Sequence, residues 1–233
     1  VQLGQHLLLL RVRRHDGGYY LHVQIKEQAP EPIKVKGVLG VDLGVVNLAV
    51  DSTGETFSGN KVEEVRQRYD ERRRGLNQCG SKSARRRLRK IRKKEARFRA
   101  QENHRISKRL VQKAKDTARA IAVEDLTGIG TRTTVRQAQR GRMKGWAFFQ
   151  LRTFITYKAE RAGVPVVSVD PRNTSRACSR CGHCEKANRK SRDEFVCRAC
   201  GHEAPADWNA ALNIRDLGAK SCARTNQQWF KAG

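Results

Sequence analysis

Long apolar runs are missing from this sequence of 233 residues. No stretch of about 18 apolar residues occurs, which excludes a transmembrane helix. The longest apolar run near the start, Leu7 to Leu10, is followed at once by Arg11, and it is too short for the core of a signal peptide. Hydrophobic residues make up 38% of the chain, enough for one modest core, so we expect one or two domains.

Acidic residues are also scarce. The chain has 23 Asp and Glu against 49 Lys and Arg, which gives a formal net charge of +26. So much positive charge repels itself in a compact fold unless a polyanion is nearby. This balance favours a nucleic acid as the partner. A ribosomal or membrane-surface role is the alternative, although no amphipathic helix with a bulky apolar face supports membrane binding.

Short apolar runs predict a sheet interleaved with helices. A hairpin is expected around Gly17-Gly18, and strands are expected at 38–41, 48–50, 121–123 and 164–169. Helices are predicted over 146–161 and 207–217, and a mobile loop over 127–144. This alternation indicates an α/β protein, and the element order suits an RNase H-like mixed sheet with a helical insert.

The helical insert, residues 61–119, carries most of the excess charge, with 23 Lys and Arg against 7 Asp and Glu. We predict two helices that are interrupted at Cys79-Gly80-Ser81. A merely solvated helical hairpin normally mixes charges of both signs, so the pattern favours binding to phosphates. The candidate nucleic-acid contacts are Arg85, Arg86, Arg89 and Lys93 here, and Arg172 and Asn173 further along the chain.

The seven cysteines predict a metal site, because five of them lie within 23 residues. Cys178-x-x-Cys181 and Cys197-x-x-Cys200 have the spacing of a structural zinc site with four thiolate ligands. A glycine follows each pair, at Gly182 and Gly201, where a positive φ lets backbone amides point at sulfur. The competing ligands are Cys184, His183 and His202; we expect Cys184 to be a small buried residue and the two histidines to lie on the surface.

Three carboxylates are the candidate catalytic residues. Asp42 and Glu124 each end an apolar strand, and Asp207 opens the last helix. Residues at the carboxyl ends of parallel strands meet at one edge of a sheet. Converging carboxylates are suitable ligands for Mg²⁺, and a two-metal site cleaves phosphodiesters. The alternatives are a turn cap at Asp42, an exposed strand end at Glu124 and a helix N-cap at Asp207.

The motifs, in their order, resemble the TnpB (OrfB) proteins of bacterial and archaeal insertion sequences, which are similar to type V CRISPR effector nucleases. The resemblance covers about residues 20–215 and rests on these segments: Gly40-Val41-Asp42-Leu43-Gly44, Leu48-Ala49, Val123-Glu124-Asp125-Leu126, Asp170-Pro171-Arg172-Asn173-Thr174-Ser175, the two cysteine pairs with Gly182-His183 and Gly201, and Asp207-x-Asn209-Ala210-Ala211-x-Asn213-Ile214.

The resemblance implies a RuvC-like (RNase H-like) nuclease core over 37–170, with the basic insert at 61–119, and a zinc ribbon over 171–206 that binds the target nucleic acid. It implies a final RuvC-like helix and tail over 207–233, and a remnant of a wedge β-barrel over 1–36. It further implies Asp42, Glu124 and Asp207 as the metal-binding triad, and the loop at 127–144 as a lid.

Family members carry a longer N-terminal part, and this chain begins at Val1 and has a single methionine, Met143. We therefore interpret it as a fragment, a decayed copy or a short natural variant.

The resemblance implies an RNA-guided DNA endonuclease, or its C-terminal nuclease portion, with structural Zn²⁺, catalytic Mg²⁺, a guide RNA from the transposon end and a DNA target. The expected location is the prokaryotic cytoplasm, at the nucleoid. The alternatives are a truncated nucleic-acid-binding protein without activity and a transposase that joins DNA strands.

Overall fold

The computed structural model describes residues 6–15, 18–26, 28–125 and 148–224. The predicted loop at 127–144 lies outside these residues. The chain divides into two compact units, Val1–Glu31 and Pro32–Gly233.

The first unit is an antiparallel hairpin of β1, His6–His15, and β2, Gly18–Lys26. Arg14 pairs with Tyr19 and Val12 with Leu21, so the strands reverse at the position expected for the glycine pair. Apolar side chains such as those of Val12 and Tyr19 are exposed on the hairpin.

The second unit is built on a five-stranded mixed sheet of order β5-β4-β3-β6-β7. Strands β3, β6 and β7 are parallel to one another, and β4 and β5 are antiparallel additions at one edge. The strands are β3 Gly37–Asp42, β4 Asn47–Asp51, β5 Thr56–Ser58, β6 Arg119–Glu124 and β7 Val166–Val169.

Helices cover both faces of the sheet because alternate side chains of each strand point to opposite faces. Leu39 and Ile121 face one core, which they share with the second half of α2, Lys82–Asp116, and with α3, Phe148–Arg161. Val38 and Ala122 face the other core, under α4, Ala206–Arg224. The strands are therefore apolar on both faces, as parallel strands between helical layers usually are.

The basic insert is a pair of helices, α1 over Asn60–Cys79 and the long α2. The predicted break is confirmed: Gly80 adopts a left-handed conformation with φ of 62°, and the Ser81 side chain caps α2 by accepting a hydrogen bond from the Ala84 amide at 3.1 Å. Buried Glu95 of α2 forms an ion pair with Arg73 of α1, which joins the two helices.

The cysteine region is a small ribbon between β7 and α4. It contains a short 3₁₀ turn at Lys186–Asn188 and the antiparallel strands β8, Glu194–Val196, and β9, Glu203–Pro205. Helix α4 begins directly after β9 and reaches Arg224, beyond the expected end at Leu217. In the part of the chain that is described, no helix is both long and apolar enough to cross a bilayer.

Candidate functional site

Helix α4 lies unusually close to β3, and this approach brings its first turn to the end of that strand. A Cβ atom on Gly40 would stand 2.1 Å from the carbonyl oxygen of Ala211 and 2.5 Å from the amide nitrogen of Arg215. A Cβ atom on Gly218 would likewise stand 2.6 Å from the Cβ of Ala122. Gly40 therefore allows the backbone contact of α4 with β3 that places Asp207 near Asp42, and Gly218 lets the same helix lie against the Ala122 side chain of β6.

The strand register brings Asp42 and Glu124 to the same edge of the sheet. Val41 pairs with Val123 in the parallel ladder, so the two carboxylates follow at adjacent strand ends. Asp42, Glu124 and Asp207 line one cavity of about 480 Å³. Asp207 is the second residue of α4 and not its N-cap.

Burial and mutual repulsion disturb the ionisation of this cluster. Burial, followed by the negative charges of Glu124 and Asp207, raises the pKa of Asp42 well above its usual range, against a smaller lowering by Arg189. Burial also raises the pKa of Glu124, against a hydrogen bond from Thr174 that lowers it. Carboxyl groups with raised pKa values in a cleft are typical of functional sites.

Three neighbouring side chains, to which the motif analysis assigned no role, hold the carboxylates in place. The Thr174 hydroxyl donates to Oε1 of Glu124 at 2.5 Å, and Nδ2 of Asn47 donates to Oδ2 of Asp207 at 2.9 Å. Arg189, from the ribbon, places Nη2 3.5 Å from Oδ1 of Asp207. Thr174 lies within a quoted motif, but Asn47 and Arg189 carry no sequence signal for this position.

The donor set of the cavity fits divalent cations. Carboxylate oxygens are the ligands that Mg²⁺ prefers, and a cation would relieve the repulsion that raises the pKa of Asp42. Among the described residues, the only group of three or more Asp, Glu, His or Cys whose ligand atoms all lie within 4.8 Å of one another is the four cysteines. The ligand atoms of the three carboxylates therefore do not all lie within 4.8 Å of one another, although the three residues line the same cavity.

The four predicted cysteines form a compact cluster. Sγ of Cys178 lies 3.7 Å from that of Cys200, and Sγ of Cys181 lies 3.5 Å from that of Cys197. A tetrahedron of sulfurs about 2.3 Å from a zinc ion has edges of about 3.8 Å, so the cluster fits zinc without rearrangement. All four positions are filled by protein, as in a structural site.

Two equivalent turns build the cluster. The Cys178 amide donates to the carbonyl of His183, and the Cys197 amide donates to that of His202, each at 2.9 Å. Gly182 and Gly201 have φ values of 78° and 68°, as their positions after each cysteine pair predict.

Backbone amides favour the thiolate form of Cys197 in this cluster. Burial raises the pKa of the Cys197 thiol, but hydrogen bonds from the amides of Cys200 and Ala199, together with neighbouring thiols, outweigh it and lower this pKa to about 6. A hydrogen bond from the His183 amide lowers the pKa of the Cys181 thiol, but hydrogen bonds with neighbouring thiols outweigh it and raise this pKa to about 12. Zinc binds the thiolate form, so the amides of the second turn prepare Cys197 as a ligand.

The expectation for Cys184 is wrong. Cys184 is exposed. It forms an isolated β-bridge with Ala177 at the edge of the ribbon, where solvent reaches its side chain. His183 is exposed as expected, whereas His202 is partly buried.

The predicted nucleic-acid contacts lie on the surface. Arg85, Arg86, Arg89 and Lys93 are exposed on the first half of α2. Arg172 and Asn173 are exposed in the turn after β7, where Asn173 has a φ of 65°. The prediction did not include the groove between α1 and α2, which Arg72, Arg87, Lys90 and Lys94 line together with Tyr69.

Two family models match the chain. The model OrfB_IS605, described as a probable transposase, matches residues 20–131. The model described as the Cas12f1-like TNB domain matches residues 148–214. Together they span the sheet, the basic helices, the ribbon and the first half of α4.

Curated relatives and solved structures agree with these models. The chain is 34% identical to the CRISPR-associated endodeoxyribonuclease Cas12f1 of Sulfoacidibacillus thermotolerans, over 84% of this chain and 49% of that protein. It is 26% identical to the putative RNA-guided DNA endonuclease InsQ of Escherichia coli K12, over 89% of this chain and 56% of the relative. The chain therefore spans about half the length of these relatives.

Among solved structures, a Cas12f1–sgRNA–target DNA complex matches with a TM-score of 0.63 and 24% identity, over 89% of this chain and 55% of the solved one. This likeness supports the fold: a mixed sheet with helices on both faces and an inserted ribbon.

Proposed function

We propose that this chain, which matches the OrfB_IS605 family model over residues 20–131, is a member of the TnpB (OrfB) family and acts as the nuclease portion of an RNA-guided DNA endonuclease. In this proposal the sheet with α2 to α4 is an RNase H-like (RuvC) core, and residues 171–206 are a target-binding ribbon. The division at 1–36, 37–170, 171–206 and 207–233 stays a prediction, as does a location at the nucleoid.

One observation carries the proposal. Three carboxylates from three separate elements, β3, β6 and α4, line one open cavity, and burial together with the repulsion among them raises the pKa of Asp42. A protein that only binds nucleic acid gains nothing from this arrangement, which costs folding free energy. A site for divalent cations explains it.

The mechanism follows from what the residues can hold. Mg²⁺ bound by Asp42, Glu124 and Asp207 would supply the activation of water and the stabilisation of the leaving oxygen that phosphodiester hydrolysis requires. Thr174 and Asn47 fix the orientation of Glu124 and Asp207 by hydrogen bonds.

Positive charge in the same cavity suits the substrate. Arg189 and Arg192 line the cavity, and the Arg189 side chain is anchored through Nη2 to the carbonyl of Arg192 at 2.9 Å. Their guanidinium groups are suited to orient a phosphate above the carboxylates. Both arginines belong to the ribbon, so the ribbon contributes to the cavity as well as holding zinc.

The proposed partners are a guide RNA and its DNA target. Exposed Arg85, Arg86, Arg89 and Lys93 on α2 would contact the phosphates of the paired strands, and Arg172 and Asn173 would contact nucleic acid beside the ribbon. Arginine suits this role because its guanidinium binds phosphate oxygens in pairs.

The test is DNA cleavage by the purified chain with Mg²⁺ and RNA transcribed from the DNA that flanks its own gene. We expect Asp42→Ala, Glu124→Ala and Asp207→Ala each to reduce cleavage to background, because each removes a cation ligand. Asp116→Asn, at the exposed end of α2, removes a carboxylate outside the cavity and should leave cleavage unchanged. Wild-type cleavage by Asp42→Ala would show that the active site lies elsewhere.

A second readout does not depend on activity. Asp42→Asn should raise the Tm of the divalent-free protein, by about 2–4 °C for each kcal/mol of repulsion that it relieves. Mg²⁺ should raise the Tm of the wild type, and this increase should be much smaller for Asp42→Asn. Equal increases in the two proteins would argue against a cation site at Asp42.

The products distinguish the alternatives. Strand transfer onto a second DNA in place of hydrolysis would favour a joining transposase. Salt-sensitive DNA binding without any Mg²⁺-dependent product would favour a binding protein that lacks activity.

A further inference from the structure

A second cavity, of about 390 Å³, adjoins the cavity of the three carboxylates. Asp207 lines both cavities, and its partner Asn47 lines the second one. The hydrogen bond between these two side chains, 2.9 Å long, therefore forms part of the wall between the cavities. The rest of the lining comes from β4, β5, the ribbon and the start of α4.

The two cavities differ in chemistry. Arg189 and Arg192 line the carboxylate cavity, whereas no Lys or Arg is among the described residues that line the second one. In a chain with 49 Lys and Arg, a cavity without them is unsuited to a phosphate. Its walls are Val50, Pro205 and the indole of Trp208.

Two polar groups complete the second cavity. Thr56, with its hydroxyl, and exposed Asp193, with its carboxylate, are both lining residues. A carboxylate accepts hydrogen bonds from the exocyclic amine of a base, as Asp and Glu do with cytosine. Apolar walls with a few polar groups at the edge fit a flat heterocycle that carries amino groups.

The protein holds the indole of Trp208 in place. Its Nε1 donates to the carbonyl oxygen of Ser52 at 3.3 Å, so the β4–β5 connection anchors the ring. Trp208 is half-buried and directly follows Asp207 in the chain. A fixed aromatic side chain loses little conformational entropy when a base stacks on it.

We propose that this second cavity binds the nucleobase of a nucleotide next to the cleaved phosphodiester, with Trp208 as its stacking surface. The position of this base next to the cleaved phosphodiester rests on the proposed function, whereas binding of the base itself is measured without cleavage. Stacking of a base on an aromatic side chain contributes enough to change affinity about 5- to 100-fold.

The test is tryptophan fluorescence in the full chain without Mg²⁺. The sequence has three tryptophans, and Trp146→Phe with Trp229→Phe leaves Trp208 as the only emitter. We expect single-stranded oligodeoxycytidylate to quench this emission. An abasic oligonucleotide of the same length and charge should bind through its phosphates and quench little.

The affinities of Trp208 variants for DNA distinguish base stacking from structural support of the β4–β5 connection. Trp208→Leu should weaken oligodeoxycytidylate binding about 5- to 100-fold and leave abasic binding unchanged. Trp208→Phe loses the hydrogen bond to Ser52 but keeps an aromatic face, so it should retain most of the affinity. Phe149→Leu, an exposed aromatic of α3 outside this cavity, is the matched control and should change nothing.

Two results would overturn the base site: equal quenching by the abasic oligonucleotide, or equal losses in Trp208→Phe and Trp208→Leu. The second result would assign Trp208 to the support of the β4–β5 connection. Zinc content and Tm of each variant show whether it has folded.

Base-dependent quenching in a chain that never cleaves DNA would remove the nuclease proposal and leave the base site. DNA cleavage without base-dependent quenching would remove the base site and leave the nuclease proposal.

Discussion

Single residues decide whether the three carboxylates line the same cavity, and Gly40 is the clearest example. The missing side chain lets the backbone of α4 rest directly on β3. Asp207 depends on this contact for its place beside Asp42, although Gly40 itself binds nothing. A glycine two positions before the end of a strand gives no sign of this role in the sequence alone, because the partner atoms are on Ala211 and Arg215.

Gly40→Ala should therefore destabilise the protein. The added Cβ would stand 2.1 Å from backbone atoms that cannot rotate away, so α4 must shift, at a cost of about 1–3 kcal/mol or more. Urea unfolding measures the loss, and Mg²⁺ stabilisation should fall with it as Asp207 moves.

Gly75→Ala is the matched control. A Cβ at Gly75, inside α1, would meet nothing within 4 Å. The same substitution should there gain about 0.8–1.0 kcal/mol of helix stability. Equal effects at the two positions would contradict the close-contact argument.

The cysteine spacing predicted which four cysteines cluster, but no sequence pattern predicted the partners of Asp207. The spacing of the cysteines indicated all four members of the cluster. The roles of Asn47 and Arg189 depend on contacts with Asp207 that no local pattern encodes.

At the scale of elements, the long helix α2 is joined to the β4–β5 hairpin by buried charges. Lys113 forms ion pairs with the fully buried Asp51 and with Glu55, at the hairpin's turn. Asp51 also accepts hydrogen bonds from the amides of Thr53 and Glu55. This connection fixes the C-terminal half of α2 on the edge of the sheet that leads to Asn47.

Lys113→Met should cost about 3 kcal/mol at neutral pH, because it leaves the Asp51 carboxylate buried without its cation. Burial raises the pKa of Asp51, but Lys113 and the Thr53 and Glu55 donors outweigh it, so the folded protein holds this pKa below its ordinary value. The stabilisation is therefore present above the unfolded pKa, about 3.9, and is lost as the pH falls through the lower folded value.

Urea unfolding of both proteins between about pH 3 and pH 7 measures this effect. The difference between wild type and Lys113→Met should shrink at the acid end. Lys115→Met, on the exposed side of the same helix, should change stability by less than about 0.5 kcal/mol at every pH. A difference that does not depend on pH would mean that Lys113 acts through packing alone.

The ribbon is an element that its metal should hold together. Its buried cluster is small, with Phe195, Cys178, Cys197 and Ala206 at its centre. Removal of zinc, or Cys197→Ser, should unfold the ribbon while the five-stranded sheet persists. Hydrogen exchange over 176–205 should rise strongly, and exchange in β3 and β6 should stay slow.

Cys79→Ser is the control for zinc, since Cys79 is exposed at the end of α1 and far from the cluster in sequence. It should keep one bound zinc per chain, whereas Cys197→Ser should lose it. A ribbon that stays protected after chelation would mean that its fold does not need the metal.

At the scale of the whole molecule, the excess positive charge is concentrated on the helical insert. Several acidic side chains there are paired with neighbouring arginines, as Glu63 and Asp70 are with Arg66. Residues 82–94 contain nine Lys and Arg and no Asp or Glu. This part of α2 therefore projects a strong positive field.

Replacement of Arg85, Arg86, Arg89 and Lys93 by alanine should weaken nucleic-acid binding in a salt-dependent way. Each lost phosphate contact reduces the slope of log K against log salt by about 0.9, so the four together should reduce it by up to about 3.5. Arg→Lys at the three arginines with Lys93→Arg keeps the charge and should keep the slope. Unchanged slopes in the alanine variant would place the phosphates on another surface, such as the groove lined by Arg87 and Lys90.

Short-range sequence patterns were enough to predict most of the helices and strands, the interruption at Gly80 and the four cysteines that cluster. The reason is that strand alternation, helix capping and Cys-x-x-Cys turns act between residues a few positions apart. The cavity required the folded structure, because its hydrogen bond between Asn47 and Asp207 joins residues 160 positions apart. Such pairs form only when sheet register and the contact of α4 with Gly40 bring them together, and neither is written in any short stretch of sequence.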